Sequence, residues 1–344
     1  MLLRVRGNDL GSVYPFSLHT TSPQSESPWA VVLAGGEGTR LQHLTFEISG
    51  DGRPKQFCKL MGGESLLRQT CRRISPLFGL DRQLFVVTRS HEVFYRNELA
   101  AFHSASVLEQ PRNRGTAVAI GLAVSRILEM ETNPLVAFFP ADHHYANESA
   151  FLRAVDATLE YSRHNGSEIV LLAAKPHYPE VEYGWIETST VVSDVPAGQL
   201  LRVTRFWEKP SLPLARTLLQ SHCLWNTFVA IGRAATFHAL LCSQVPSMMT
   251  SIATALASDR LDTIYRDLPP VDISREVFSL HPDTLLAFRD TDSGWADLGT
   301  PKRVLDTLVR NDIQPEWVSR LSNWHADLQP PSQDVGSRFL NSHG

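Results

Sequence analysis

The reading of WAVVLAGGEGTRL, residues 29–41, decides the fold. It opens on a short apolar run bounded by glycines, which suits a fully buried strand in a parallel sheet. Gly35, Gly36 and Gly38 then let the backbone bend tightly and bring its N–H groups close to a ligand. Amides arrayed this way form a nest for phosphate oxygens, and Arg40 can add a charge-assisted contact. The segment lacks the GK[ST] ending of a P-loop, and Leu41 stands where a dinucleotide fingerprint carries its third glycine. On the glycines alone a structural turn explains the segment equally well. With Thr39–Arg40 attached and a strand in front, phosphate binding is the better reading, because ligands of open α/β sheets sit just outside the carboxyl ends of the strands.

Outward from this turn, strand and helix patterns alternate. ESLLRQTCRRI (64–74) has helical spacing, QLFVVT (83–88) reads as a strand, and GTAVAIGLAVSRILEM (115–130) carries Ile120, Val124 and Ile127 on one helix face. PLVAFFPAD (134–142) is a buried strand running into a loop; residues 149–164 read as a helix and EIVLLAA (168–174) as a strand. This alternation predicts an α/β fold, an open and mostly parallel sheet with helices on both faces. The second half is less regular. YGWIET, LLRVTRFWEKP and LWNTFVAIG read as strands, with helices at about 211–220, 233–243 and 300–310. Together they predict a sheet extension that caps the first half to form a substrate pocket. Residues 1–28 read as a flexible leader whose removal is expected to change neither stability nor turnover. Residues 29–312 read as the domain and 313–344 as a tail with one short helix around Trp317.

A chain of 344 residues with 43% hydrophobic residues can bury a substantial core, and its net charge of −4 gives no electrostatic footprint for nucleic acid. Phosphate binding must therefore come from a local cluster of basic groups. Cys58, Cys71, Cys223 and Cys242 show no zinc-type spacing, and no stretch approaches a signal peptide or a membrane span. The expectation is a cytoplasmic protein with reduced thiols and no membrane partner.

Eight motifs appear in order: LAGGEGTRL (33–41), RPKQF (53–57), EQPRNRGTAVAI (109–120), FPADH (139–143), YGWIE (183–187), FWEKP (206–210), WNTF (225–228) and WADLGT (295–300). In this set the chain resembles the sugar-phosphate nucleotidyltransferases over roughly residues 29–310, and among them the mannose-1-phosphate guanylyltransferases. The resemblance implies a Rossmann-like core, a divalent metal, usually magnesium, and direct attack of a sugar 1-phosphate on the α-phosphorus of a nucleoside triphosphate. The segment between Thr45 and Pro54 is longer than in the guanylyltransferases, and no counterpart of the C-terminal domain common in the family is expected. A homodimer is compatible with the resemblance.

The chemistry needs cations more than a base, because a sugar phosphate with a second pKa of about 6 is already largely ionised. Arg40, Lys55 and Lys209 are the candidates. By resemblance Lys55 reaches the reacting phosphates and Lys209 holds the sugar phosphate. Asp142 ends an apolar strand, where a carboxylate points into the crevice, and Asp297 sits in WADLGT. Two carboxylates plus phosphate oxygens suit magnesium, and the resemblance gives these two that role. His143 and His144, adjacent on a loop, do not make a zinc site. Asn113, Arg114, Gly115 and Thr116 are expected at the base and ribose, alongside Gly35, Gly36, Gly38 and Thr39 at the phosphates. The guanylyl-like NRGT run favours GTP. Gly184, Glu208 and Asn226 are the sugar-side candidates, while Trp185, Trp207 and Trp225 read as core before they read as stacking platforms. Two rivals are a non-catalytic nucleotide-sugar-binding regulatory subunit and a nucleotide-sugar-dependent glycosyltransferase. The first is expected to have lost an aspartate or lysine of this set, and the second commonly uses a DxD motif where this chain has Asp142-His143-His144.

Overall fold

Alternate residues of WAVVL are buried on opposite sides of one sheet. Val31 packs with Leu84, Val86, Val136 and Phe138 in one cluster, and Ala30 and Val32 with Phe85, Val87, Ala137 and Phe139 in another. The first face is covered by the helix Thr116–Met130, the second by the helix Glu148–His164. Burial on both faces is why these strands read as continuous apolar runs. A fully buried side chain of this size contributes roughly 1.5–3 kcal/mol, so each central strand is held from two sides.

The computed structural model of the chain describes residues 27–103, 106–258 and 260–320. Residues 1–26 of the expected leader and 321–344 of the expected tail lie outside the described residues. Strands β1 (Trp29–Leu33), β2 (Gln83–Thr88), β3 (Val107–Gln110) and β4 (Leu135–Pro140) form a parallel block in the order β3-β2-β1-β4. A two-residue strand, β5 (His144–Tyr145), follows β4. The large sheet then continues through β9 (Leu224–Arg233), β6 (Ile169–Ala174), β10 (Leu285–Asp290), β8 (Gly198–Glu208) and β7 (Gly184–Val195). β6 and β10 run with the parallel block, while β8 and β9 run against it. The sheet is thus mostly parallel and Rossmann-like, with the long β7–β8 hairpin as its extension.

Two departures from the sequence reading have physical causes. The helix Thr116–Met130 is buried over Ala117–Val124 and again at Ile127, well beyond one stripe. The helices Ala234–Gln244 and Pro246–Leu256 pack on its outer side, so it lies between sheet and helices and must be apolar nearly all round. The segment LLAFRD, which the pattern did not mark, is the interior strand β10, parallel to β6 and antiparallel to β8. Among the described residues no helix is long and apolar enough to cross a membrane.

A third cluster joins residues 41–66 to residues 298–317. Leu41, Leu44, Leu60 and Leu66 pack with Leu298, Val304 and Leu308, and Trp317 joins them and donates its indole N–H to the Leu60 carbonyl (3.1 Å). Trp317 lies in a short helix, Glu316–Arg320, as expected. This packing carries the WADLGT motif back to the glycine turn.

Candidate active site

The glycine turn leaves β1 at the carboxyl edge of the parallel block. Its carbonyls are tied down: Gln56 donates its amide to Ala34 O (2.9 Å) and Gly36 O (2.8 Å), while Thr88 and Asn113 donate to Gly35 O (3.0 and 3.2 Å). The side-chain bonds that fix the turn thus fall on its carbonyls. Gly38 is left-handed (φ 63°), and a Cβ there would lie 3.0 Å from the Lys55 backbone nitrogen, so only glycine lets the turn abut Pro54–Lys55. Beside it is a cleft of about 310 Å³ lined by Gly38, Thr39, Arg40, Lys55, Asn113 and Asp142.

Lys55 is the centre of this cleft. Its ammonium donates to the Asp297 carbonyl (2.7 Å) and lies 3.2 Å from Asp142 Oδ2. Asp142 follows β4, and Asp297 follows the short strand β11 (Trp295–Ala296). β11 pairs antiparallel with β5, Trp295 with Tyr145 and Ala296 with His144. That two-residue ladder brings the aspartates to one place. The loop before it is stapled as well: Ser293 and Asp292 donate backbone N–H groups to Asp290, and Asn147 donates to the Ser293 carbonyl (2.9 Å). Trp295 donates its indole N–H to His143 Nδ1 (3.1 Å), and His143 Nε2 stands 3.7 Å from Asp142. Burial pushes the His143 pKa down, so the ring is held neutral.

Asp297 is the most constrained acid of the site. Oδ1 accepts from the Tyr183 hydroxyl (2.6 Å), the Gly299 amide (3.0 Å) and Arg303 Nη1 (3.0 Å), and Oδ2 accepts from Arg303 Nη1 (2.8 Å). Burial raises its pKa, but Lys55, Arg303 and the Tyr183 hydroxyl outweigh burial and hold it below the ordinary carboxylate value. Tyr183, Arg303 and Glu180, which accepts from Arg303 Nη2 (2.8 Å), were not singled out by the sequence. Tyr183 stood inside the quoted YGWIE motif, whereas nothing in the helix pattern distinguished Arg303 from a solvated charge.

The NRGT run divides. Asn113 lines the cleft and accepts from the Gly115 amide (2.9 Å). Arg114 turns to the carbonyls of Tyr265 (2.8 Å) and Arg266 (2.7 Å), and the Thr116 hydroxyl accepts from Ile273 N (2.9 Å). Gly115 has φ 88°, and a Cβ there would come within 2.3 Å of the Val271 carbonyl oxygen. Gly115→Ala is therefore expected to destabilise the fold by about 3 kcal/mol, read as a lowered melting temperature in thermal unfolding. An unchanged melting temperature would show that this backbone approach is dispensable. Arg40 is exposed and paired with Glu182 (2.9 Å) at the rim.

A second group gathers on the extension. Gly184 stands opposite Glu208 in the β7–β8 ladder, and Trp185 opposite Trp225, which brings Asn226 alongside. A Cβ at Gly184 would meet Glu208 Oε2 at 2.9 Å, so the carboxyl occupies the space a side chain would need. Glu208 Oε2 and Asn226 Nδ2 are buried without a hydrogen-bond partner, the mark of groups that a polar ligand completes. Burial, and after it the charge of Asp272, pushes the Glu208 pKa up to about 7. Lys209 is exposed, and its backbone N–H donates to the Tyr183 carbonyl (3.1 Å). Tyr183 therefore links the two groups, with its hydroxyl on Asp297 and its carbonyl on Lys209. Trp185 and Trp225 are core, as expected, and Trp207 stacks against Arg205 (4.5 Å).

A family model described as nucleotidyl transferase matches residues 29–311. A curated mannose-1-phosphate guanylyltransferase of Escherichia coli is 27% identical over 281 residues, covering 78% of this chain and 58% of that protein. The xanthan biosynthesis protein XanB of Xanthomonas campestris pv. campestris is 28% identical over 287 residues, covering 80% of this chain and 58% of that protein. The chain thus spans little more than half the length of these relatives. A crystal structure from Thermus thermophilus, described as a mannose-1-phosphate geranyltransferase, superposes with a TM-score of 0.72 at 28% identity, covering 84% of this chain and 80% of that one.

Proposed function

The chain belongs to the nucleotidyl transferase family, and on that footing we propose that it condenses a nucleoside triphosphate with a sugar 1-phosphate, releasing pyrophosphate. GTP and mannose 1-phosphate are the assigned pair, from the NRGT run and from relatives named mannose-1-phosphate guanylyltransferase. The observation that carries the reading is Lys55, lodged between Asp142 and Asp297 at the mouth of the glycine turn. A polyanionic triphosphate meeting a second anion needs positive charge and in-line placement above all. The amides of Gly35, Gly36, Gly38 and Thr39 cradle phosphate, with Arg40 at the rim. Lys55 neutralises the reacting phosphates, and Lys209 holds the sugar phosphate. Gly184, Glu208 and Asn226 receive the sugar hydroxyls. Asn113 meets the nucleotide directly, while Arg114, Gly115 and Thr116 act on it through the segment 265–273 that they hold.

Magnesium fits this donor set. Asp142 and Asp297 would give it two carboxylates and leave the remaining positions to phosphate and water oxygens, as magnesium prefers. Asp142 is part-exposed in the cleft, and Asp297 Oδ2 accepts from Arg303 alone among the described residues, so each keeps an oxygen for a cation. Bound there, the cation supplies charge neutralisation at the α-phosphate.

The test is a matrix of four nucleoside triphosphates against mannose 1-phosphate and glucose 1-phosphate, read by pyrophosphate release with magnesium. The expected maximum is GTP with mannose 1-phosphate. Release from a different pair would move the specificity, and no release from any pair would overturn the reading.

A further inference from the structure

Each of the two aspartates already has a cation of the protein's own. Lys55 stands 3.2 Å from Asp142, and Arg303 holds both carboxylate oxygens of Asp297 through Nη1 at 2.8 and 3.0 Å. Arg303 is itself fixed from several directions. Its Nη2 donates to Glu180 Oε2 (2.8 Å), its guanidinium lies 4.7 Å over the Tyr183 ring, and its backbone N–H bonds the Thr300 hydroxyl (3.3 Å) that caps its helix. Glu180 is anchored in turn, accepting the Glu182 amide at Oε1 (2.8 Å). The side chains of Arg303, Asp297 and Glu180 are only 13%, 13% and 9% exposed, so water screens this network weakly.

We propose that Arg303 is a built-in counter-ion, a positioning residue that holds Asp297 in one orientation and already neutralised. The protein without nucleotide then takes up a divalent cation poorly, and the cation enters with the triphosphate. This rests on the assignment of Asp142 and Asp297 as the cation's carboxylates. The sign follows from charge. A cation approaching Asp297 Oδ2 meets a carboxylate whose field is cancelled by a guanidinium at contact distance, with a second cation, Lys55, on the neighbouring acid. A triphosphate in the cleft adds several negative charges and reverses that balance. The fork has a second effect: with Nη1 on Asp297 and Nη2 on Glu180, a planar guanidinium fixes the two carboxylates relative to one another, which the single nitrogen of a lysine ammonium does not do.

The experiment measures Mn²⁺ binding to the full chain, without nucleotide, by electron paramagnetic resonance. The variant is Arg303→Gln combined with Glu180→Gln, which removes one charge of each sign and so spares the buried network an unpaired Glu180. The double variant is expected to bind Mn²⁺ at least about tenfold more tightly than the wild type, whereas Arg303→Lys, which keeps the charge, stays within about twofold of it. A scaffolding role alone would leave Mn²⁺ affinity unchanged or lower it, and either result in the double variant would overturn the proposal. Adding Asp297→Asn to the double variant should abolish the gain. If the tighter binding survives that change, the cation does not sit on Asp297, and it is the underlying assignment of the carboxylates that fails.

Discussion

Asp142→Asn is expected to lower turnover by about a hundred- to a thousandfold while leaving the melting temperature close to that of the wild type. The side chain follows β4, whose residues Leu135–Phe139 are buried, and its close charged partner is Lys55 at 3.2 Å. An asparagine carbonyl can still accept from that ammonium, so the local shape survives while the negative charge is lost. Asp297→Asn is expected to lose both activity and stability. Its carboxylate accepts from Tyr183, Gly299 and Arg303 at once, and a carboxamide cannot meet both oxygens' share of that set. Breaking one side of a buried ion pair costs about 3–5 kcal/mol when the partner charge is left uncompensated, and Glu180 compensates Arg303 in part. The sign with pH is fixed. The folded pKa of Asp297 lies below the ordinary 3.8, so its stabilisation is present above that value and is lost as pH falls through the folded pKa. Wild type and Asp297→Asn should therefore converge in melting temperature on acidification. Pyrophosphate release and thermal unfolding, measured on both variants, check the pair. Near-normal turnover of Asp142→Asn at limiting magnesium would remove Asp142 from the metal assignment.

How much of this was legible in the sequence depended on what kind of constraint each element obeys. The strands β1, β2, β4 and β6 are buried on both faces, so their apolar runs are dictated by position and can be read directly. β10 obeys the same rule, yet it follows Pro282 and ends in Arg289 and Asp290, so its pattern resembles a loop. The helix Thr116–Met130 was recognisable as a helix, but its second buried face depends on helices supplied much later in the chain. The convergence of Lys55, Asp142 and Asp297 is set by the β5–β11 ladder and by the cluster around Leu41 and Leu298, neither of which leaves a spacing to read. Only the resemblance of the motifs placed them together. Arg303 shows the limit most sharply. In PKRVLDTLVR an arginine belongs by pattern to a solvated face, and its burial against Asp297 and Glu180 is purely tertiary. Gly115 shows a different limit. A glycine before a helix signals that something approaches the backbone closely, but the approaching group here is the Val271 carbonyl.

The two lysines are expected to fail in different ways when truncated. Lys209→Ala should raise the KM for the sugar phosphate and slow its attack, with nucleotide affinity largely intact. Lys55→Ala should lower kcat more than it raises that KM, because its charge matters most as the α-phosphate is displaced. The structure supplies a reason for the difference. Lys209 is exposed at the end of β8, joined to the site through its backbone bond to Tyr183 and adjacent to Glu208 on the extension. Removing its side chain deletes one charge from the sugar side. The Lys55 ammonium, on a side chain only 12% exposed, contacts the Asp142 carboxylate and the Asp297 carbonyl. Its removal therefore deletes a cation from the reacting region and leaves Asp142 without its counter-charge, which repels an incoming phosphate. Charge-assisted contacts of this kind are worth roughly 1.5–3 kcal/mol, so losses of about ten- to a hundredfold are expected for each variant. Calorimetric nucleotide binding, run alongside steady-state kinetics in both substrates, separates the two roles. An equal loss of nucleotide affinity in Lys55→Ala and Lys209→Ala would end the division of labour between the sheet extension and the parallel core, while leaving the reaction class to stand on pyrophosphate release.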